Sequence, residues 1–249
     1  MLITKNILSK VLNREKLVRI FIPENTEGPY EVLYMYDGQN LFNTKTSAYG
    51  DIWDMDTQVP RLIKAGIIKP IMVVGIDSSE QRLDEYSPFN NNGIYKFMPK
   101  DNRVSFYGHL VNKFIVDELI PYINKNFQTL PDKTHIAGSS LGGLMALHAS
   151  INYPNTFKGI GIFSLAAYFN PKGYKSMLKD LNLNPNQKYF ITVGTNESNH
   201  TNDKLNKAYL RDSLYLYETV KPLTNTSLEI INNAIHTESF WASQVPNFL

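Results

Sequence analysis

Two stretches of this sequence are apolar at every position, Val32-Leu33-Tyr34-Met35-Tyr36 and Ile71-Met72-Val73-Val74-Gly75-Ile76. A strand with one wet face alternates apolar and polar residues. An unbroken apolar run belongs to a strand buried on both faces, and such strands occur in parallel sheets covered by helices. Each run stops at an aspartate, at Asp37-Gly38 and at Asp77. The rest of the chain alternates in the same way. Residues 4–22 read as two strands with a turn at Asn13-Arg14-Glu15. Asp56 to Ala65 suits a helix. Leu110, Val111, Phe114, Ile115, Leu119 and Tyr122 recur at helical spacing, giving a long amphipathic helix to about Asn124. His135-Ile136-Ala137, Phe157 to Phe163, Tyr189 to Val193 and Ser227 to Ile231 read as strands. Leu144 to Tyr153 (stopped by Pro154), Asp203 to Val220 and Glu238 to Phe248 read as helices. A βαβαβ pattern of this length predicts an open, doubly wound, mostly parallel α/β sheet with helices on both faces. No linker rich in Gly, Pro or Ser interrupts it, so residues 1–249 are expected to form one domain. Irregular, aromatic-rich loops fall within about 42–107.

Composition narrows the function classes. The 249 residues hold 25 Lys+Arg against 23 Asp+Glu, a formal charge of +2. Phosphate binding needs a concentrated basic face, so no nucleic-acid partner is expected. No apolar run approaches the roughly 18 residues of a membrane span, and the N-terminal residues do not resemble a signal peptide, so a cytoplasmic protein with no membrane partner is expected. The absence of cysteine excludes disulfides, thiolate nucleophiles and Cys-ligated metals. H-E-x-x-H, the P-loop and a strand-following G-x-G-x-x-G are all missing, so no metal, nucleotide or other cofactor is expected. Nothing in the sequence indicates an oligomeric state.

Gly138-Ser139-Ser140-Leu141-Gly142 matches G-x-S-x-G, with an apolar strand running in and a helix running out. At such a turn the serine sits in a strained backbone conformation, and its flanking positions must lack bulk, hence Gly138 and Gly142. Gly143 lets the helix pack close to the sheet. The Leu141 amide would lie at a helix N-terminus, where developing negative charge is favoured. Ser140 is the candidate nucleophile. Ser139 is its neighbour but stands one position out of the motif, and a Gly-rich turn with a capping serine is the plainer alternative.

A serine hydroxyl needs a neighbouring imidazole to act near neutral pH. In folds with this motif the chain order is serine, acid, histidine. His109 and His135 precede Ser140, His148 lies inside the next helix, and His200 sits where the acid belongs. His236 follows the last strand and is the expected base. The acid should follow the preceding strand. Glu197, in Gly194-Thr195-Asn196-Glu197, is the first carboxylate there, and Asp203 is the alternative, although it looks more like a helix cap. The second oxyanion donor should come from the turn after an early strand, Tyr36-Asp37-Gly38-Gln39. That places the Gln39 amide opposite the Leu141 amide.

These segments together resemble the putative-esterase family of α/β-hydrolases, which includes enterochelin esterases, S-formylglutathione hydrolases, feruloyl esterases and mycolyltransferases. Val32 to Phe42 resembles the family's oxyanion-turn segment. Val73-Val74-Gly75-Ile76, with Arg82, Glu85, Tyr86 and Pro88 after it, resembles the next strand and its R-x-x-E-Y-x-P stretch. Glu118-Leu119-Ile120-Pro121 and Gly138 to Gly143 resemble the approach to the nucleophile. His236 with Trp241 resembles the terminal His…Trp segment. Glu197 stands where feruloyl-type members often carry Asp. The resemblance covers nearly the whole chain and implies a serine carboxylesterase acting on a small-molecule ester such as a short-acyl, acetyl-sugar or phenolic ester. An acyltransferase, a siderophore-lactone hydrolase and an inactive binding member of the fold are the alternatives. Phe42, Tyr49, Trp53, Tyr86, Phe89, Tyr95, Phe97 and Tyr107 crowd the early loops, and Tyr168 and Phe169 follow a later strand. Most of these should be packing, with Trp53 and Tyr168 taken as substrate contacts. Arg82 is expected either to meet an anionic substrate or to pair with Glu85.

Overall fold

A computed structural model of the protein describes residues 1–89, 105–179 and 181–249. It opens with a hairpin of β1 (Leu2–Ser9) and β2 (Arg14–Phe21). The reversal comes earlier than expected. Arg14 and Glu15 already pair with Ser9 and Leu8, and Asn13 turns the chain at φ 52°. Asparagine tolerates this left-handed conformation better than its neighbours would. The chain continues through β3 (Tyr30–Tyr36), α1 (Met55–Lys64), β4 (Ile71–Ile76) and the single-turn α2 (Arg82–Glu85). Next come α3 (Gly108–Phe114), a wide turn over Ile115–Leu119, α4 (Ile120–Asn126), β5 (Thr129–Ser139) and α5 (Leu141–Asn152). It closes with β6 (Gly159–Phe163), α6 (Pro171–Met177), β7 (Lys188–Gly194), α7 (Asp203–Val220), β8 (Asn225–Ile231) and α8 (Glu238–Phe248).

The eight strands form one sheet in the order β1-β2-β4-β3-β5-β6-β7-β8. β2 runs antiparallel to β4, and every neighbouring pair from β4 across to β8 is parallel. This is the doubly wound α/β architecture. Successive residues of the apolar runs face opposite sides. Tyr34, Tyr36, Val74 and Ile76 pack under α3, α4, α5 and α7. Leu33, Met35 and Val73 pack with Met55, Val59 and Leu62 of α1 and with Phe240, Trp241 and Val245 of α8. Each such buried side chain contributes on the order of 2 kcal/mol of transfer free energy.

The long amphipathic helix is present over 108–126, but it is not uniform. Pro121 has no N–H to give to a carbonyl one turn back, and the helix widens locally, with the Ile120 amide bonding Ile115 O. α5 ends at Asn152, two residues before Pro154. α6 has no apolar periodicity in the sequence. It is short and starts on Pro171, capped by the Asn170 side chain accepting from the Gly173 amide. Among the described residues no helix is long and apolar enough to cross a membrane. Asp37, Ser140, Ser164, Glu197 and His236 all lie just beyond the carboxyl ends of parallel strands, the edge where open α/β sheets hold their ligands.

Candidate active site

Ser140 stands between β5 and α5 at φ 57°, ψ −120°. A non-glycine residue there is strained, and the strain persists only where its surroundings fix it. Here the Ser140 amide donates to Phe163 O at 2.8 Å, and Ser140 O accepts from the Leu144 and Ala166 amides, each at 3.2 Å. The tight turn is possible because Gly138 has no side chain. A Cβ at that position would come within 2.5 Å of the Gly142 carbonyl carbon. The Leu141 amide opens α5 and has no acceptor among the described residues.

His236 lies in the loop between β8 and α8. Its Nδ1 is 2.6 Å from Glu197 Oε2. A carboxylate accepts, so Nδ1 carries the hydrogen, and in the neutral imidazole Nε2 is the nitrogen with the free lone pair. Glu197 is 4 % exposed, and its other oxygen accepts from Ser164 Oγ and from the Gly194 amide, both at 2.7 Å. Ser164 Oγ in turn accepts from Trp241 Nε1 at 2.8 Å. The same indole meets the His236 ring edge-on at 4.8 Å. The two loops are clamped together as well. Thr195 and Asn196 amides donate to Ile231 O and Ala234 O at 3.0 and 3.1 Å. Gly194 permits that approach, since a Cβ there would lie 2.2 Å from Ala234 O. Asp203, the other candidate acid, is the first residue of α7, behind the Asn202 cap.

The turn after β3 is built from outside. Asp37 sits at φ 57°, its amide donates to the Tyr86 hydroxyl at 2.8 Å, and its carboxylate takes a two-pronged contact from Arg82 at 2.7 Å on each arm. Burial pulls the guanidinium pKa down, but the Asp37 charge outweighs it and holds Arg82 above the ordinary arginine value. Arg82 therefore does not pair with Glu85, whose carboxylate meets Lys16 at 2.9 Å, Arg14 at 3.2 Å and the Ser79 amide at 2.9 Å. The Gln39 side chain is tied to Ser78 through both its ends, at 2.9 and 3.1 Å. Its backbone amide has no acceptor among the described residues.

Ser140 and His236 share the wall of one cavity of about 540 Å³ with Gln39, Arg82, Glu238 and Trp241. Glu238 is almost fully buried and accepts from Asn40 Nδ2 at 2.9 Å. Burial raises its pKa, and Asp51 and Asp37 add to the rise. A larger hollow of about 700 Å³ lies at the opposite strand ends, around Glu31, His135 and Lys188. None of the candidate site residues lines it.

Two of the expected substrate contacts are placed elsewhere. Trp53 is 2 % exposed and packs between Phe163 and Trp241 at 4.8 and 5.8 Å, in the core under the site. Tyr168 is part-exposed and packs on Tyr209, outside the wall of the cavity. Arg82 does reach the cavity, with its charge already matched by Asp37. Tyr95 and Phe97 lie outside the described residues. Ser164 and Tyr209 carried no local sequence signal, because their places depend on three strands and a helix meeting in space.

A serine held in a strained turn, an imidazole oriented by a buried carboxylate and two backbone amides without acceptors among the described residues, all at one strand edge, suit attack on a carbonyl. The Putative esterase family profile matches residues 9–246. The chain is 22% identical over 231 residues to the uncharacterized protein YbbA of Bacillus subtilis (strain 168), covering 89% of this chain and 85% of that protein. It is 28% identical over 159 residues to the ferri-bacillibactin esterase BesA of the same strain, covering 59% of this chain and 52% of BesA. Among solved structures, the BES protein from Bacillus cereus superposes with a TM-score of 0.77 at 22% identity, covering 99% of this chain and 94% of that one.

Proposed function

The chain belongs to the Putative esterase family, and from that premise we propose that it is a serine carboxylesterase working through an acyl-enzyme on Ser140. His236 Nε2 removes the Ser140 proton as Oγ attacks the ester carbonyl. Glu197 fixes the imidazole tautomer and stabilises the imidazolium. The Gln39 and Leu141 amides hold the oxyanion, one such donor being worth about 3 kcal/mol in the transition state. His236 then protonates the leaving alcohol, and water enters by the same route to release the acid. The observation that carries this reading is the strained Ser140 turn sharing a cavity with the His236–Glu197 pair at 2.6 Å.

The substrate is a small ester, of short-acyl, acetyl-sugar or phenolic type. Because Asp37 already matches the Arg82 charge, Arg82 serves the oxyanion turn and not an anionic substrate. BesA, by its name, acts on ferri-bacillibactin, and a siderophore ester opened by the same steps is the second reading.

A p-nitrophenyl ester series tests the assignment. The wild-type protein should hydrolyse acetate and butyrate esters faster than octanoate, and Ser140→Ala should lower kcat by about 10⁴ or more. No turnover by the wild-type protein, or undiminished turnover by Ser140→Ala, would refute it.

A further inference from the structure

Asp37, Asp51, Arg82 and Glu238 are the acidic and basic side chains in the wall of the Ser140 cavity, with His236 beside them. Arg82 is taken by Asp37, at 2.7 Å on each arm. No ion pair reaches Asp51 or Glu238 among the described residues. Asp51 accepts only from neutral groups, the Ser239 amide at 2.8 Å and the Ile52 amide at 3.0 Å. Glu238 opens α8 and is 4 % exposed. Its Oε1 accepts from Asn40 Nδ2 at 2.9 Å, and its Oε2 accepts from no other residue among the described residues. Asn40 follows Gln39 in the chain, so this carboxylate borders the oxyanion turn. The wall therefore keeps two carboxylates without a counter-charge, and one of them is buried with an oxygen to spare.

We infer that the catalytic cavity takes small esters that carry an ammonium group, with Glu238 as the specificity-determining residue whose spare oxygen accepts the ammonium hydrogen. This rests on the esterase reading above and adds the charge of the substrate. A buried carboxylate without a counter-ion is costly to keep. Burial, with Asp51 and Asp37 near, raises the Glu238 pKa, as a missing counter-charge should. Asn40 does not require that charge, since a glutamine carbonyl would accept from it equally well. A hydroxyl on the substrate would satisfy the oxygen but not the charge, whereas an ammonium satisfies both. A cleft lined by one sign of charge concentrates ligands of the other and repels its own. Tyr49 and Trp241 add aromatic rings to the same wall, and such rings suit a cation.

The test uses three acetates of one shape and differing charge: para-aminomethylphenyl, para-ethylphenyl and para-carboxymethylphenyl acetate, at neutral pH. Methyl para-aminomethylbenzoate against methyl para-ethylbenzoate repeats the comparison with the cation on the acyl side, and the pair that discriminates shows which side carries it. In the wild-type protein kcat/KM for the ammonium ester should exceed that for the ethyl ester on the order of tenfold or more in at least one pair, with the carboxylate ester slowest. In Glu238→Gln, which keeps the acceptor for Asn40 and removes the charge, that ratio should fall at least about fivefold. Asp51→Asn should lower it by about twofold or more, and gives the same readout should the Gln variant not fold. A ratio of rates does not depend on how much folded enzyme is present, so a merely structural Glu238 would leave it unmoved. Hydrolysis of the matched esters with no preference for the ammonium in either pair overturns this inference alone, as does a preference that Glu238→Gln leaves intact. Wild-type protein that turns over neither these esters nor p-nitrophenyl acetate sinks the esterase reading together with this one.

Discussion

Glu197 and His236, 39 residues apart in the chain, meet at 2.6 Å between Oε2 and Nδ1. The contact is held from behind, because Ser164 and the Gly194 amide occupy the second oxygen and leave Oε2 no other orientation. Glu197→Gln keeps the shape but puts an amide where an acceptor-only group stood, and the imidazole can then turn or change tautomer. We expect kcat to fall by about 10³ to 10⁴ with little change in KM. Ser164→Ala removes only the brace and should cost about tenfold. Steady-state kinetics on one neutral ester checks both, and a Glu197→Gln variant with wild-type kcat would remove Glu197 from the mechanism.

Arg82 and Asp37 form a part-buried pair under the Gln39 turn. Arg82→Met leaves the Asp37 carboxylate without a counter-ion, and the expected loss is about 3 kcal/mol. Adding Asp37→Asn should recover part of that loss, because the uncompensated charge is gone. Urea unfolding of the single and double variants measures it. If Arg82 served an anionic substrate instead, Arg82→Met would spare stability and raise KM for anionic esters only.

His148 accepts at Nδ1 from Asn112, whose carbonyl oxygen is taken by the Tyr36 hydroxyl. Burial, with His109 nearby, lowers its pKa to about 4 from 6.5. The folded state therefore binds this proton more weakly than the unfolded chain does. The associated stability is complete above about pH 6.5 and is lost as pH falls toward 4, by up to about 3 kcal/mol. Chemical unfolding between pH 7 and 4 should show this slope, and His148→Gln should flatten it. An unchanged slope in the variant would assign the pH dependence to other groups.

Gly138 lies where a methyl group would strike the Gly142 backbone. Gly138→Ala should destabilise by about 2 kcal/mol, lowering the melting temperature by about 4–8 °C, and should displace Ser140. Calorimetry together with kinetics tests it. A variant that melts and turns over like the wild type would show that the turn has room to spare.

The sheet and much of the site could be read from the sequence because their signals are local. Continuous apolar runs mark β3 and β4, and the Gly138 to Gly142 spacing marks a turn whose sterics involve only its own backbone. Glu197 and His236 followed from their position after particular strands. The aromatic residues were harder to sort. Trp53 and Tyr168 sit in segments with no periodicity, so nothing in the sequence says which way their rings point, and the core claims Trp53. Arg82 pairs with Asp37 and not with the expected Glu85, because Glu85 is one helical turn away only along the sequence, while the pairing of β3 with β4 brings Asp37 to the guanidinium. Ser164, Trp241 and Tyr209 converge on Glu197 and His236 through tertiary contacts between β6, α7 and α8.

The central claim is that the Ser140 hydroxyl is activated in the folded protein. Treatment with a fluorophosphonate probe, followed by peptide mapping, measures this directly. The account predicts a single adduct on Ser140, lost in Ser140→Ala and slowed at least a hundredfold in His236→Ala without unfolding the protein. Unlabelled Ser140 in folded wild-type protein, or equal labelling in the His236→Ala variant, would contradict it.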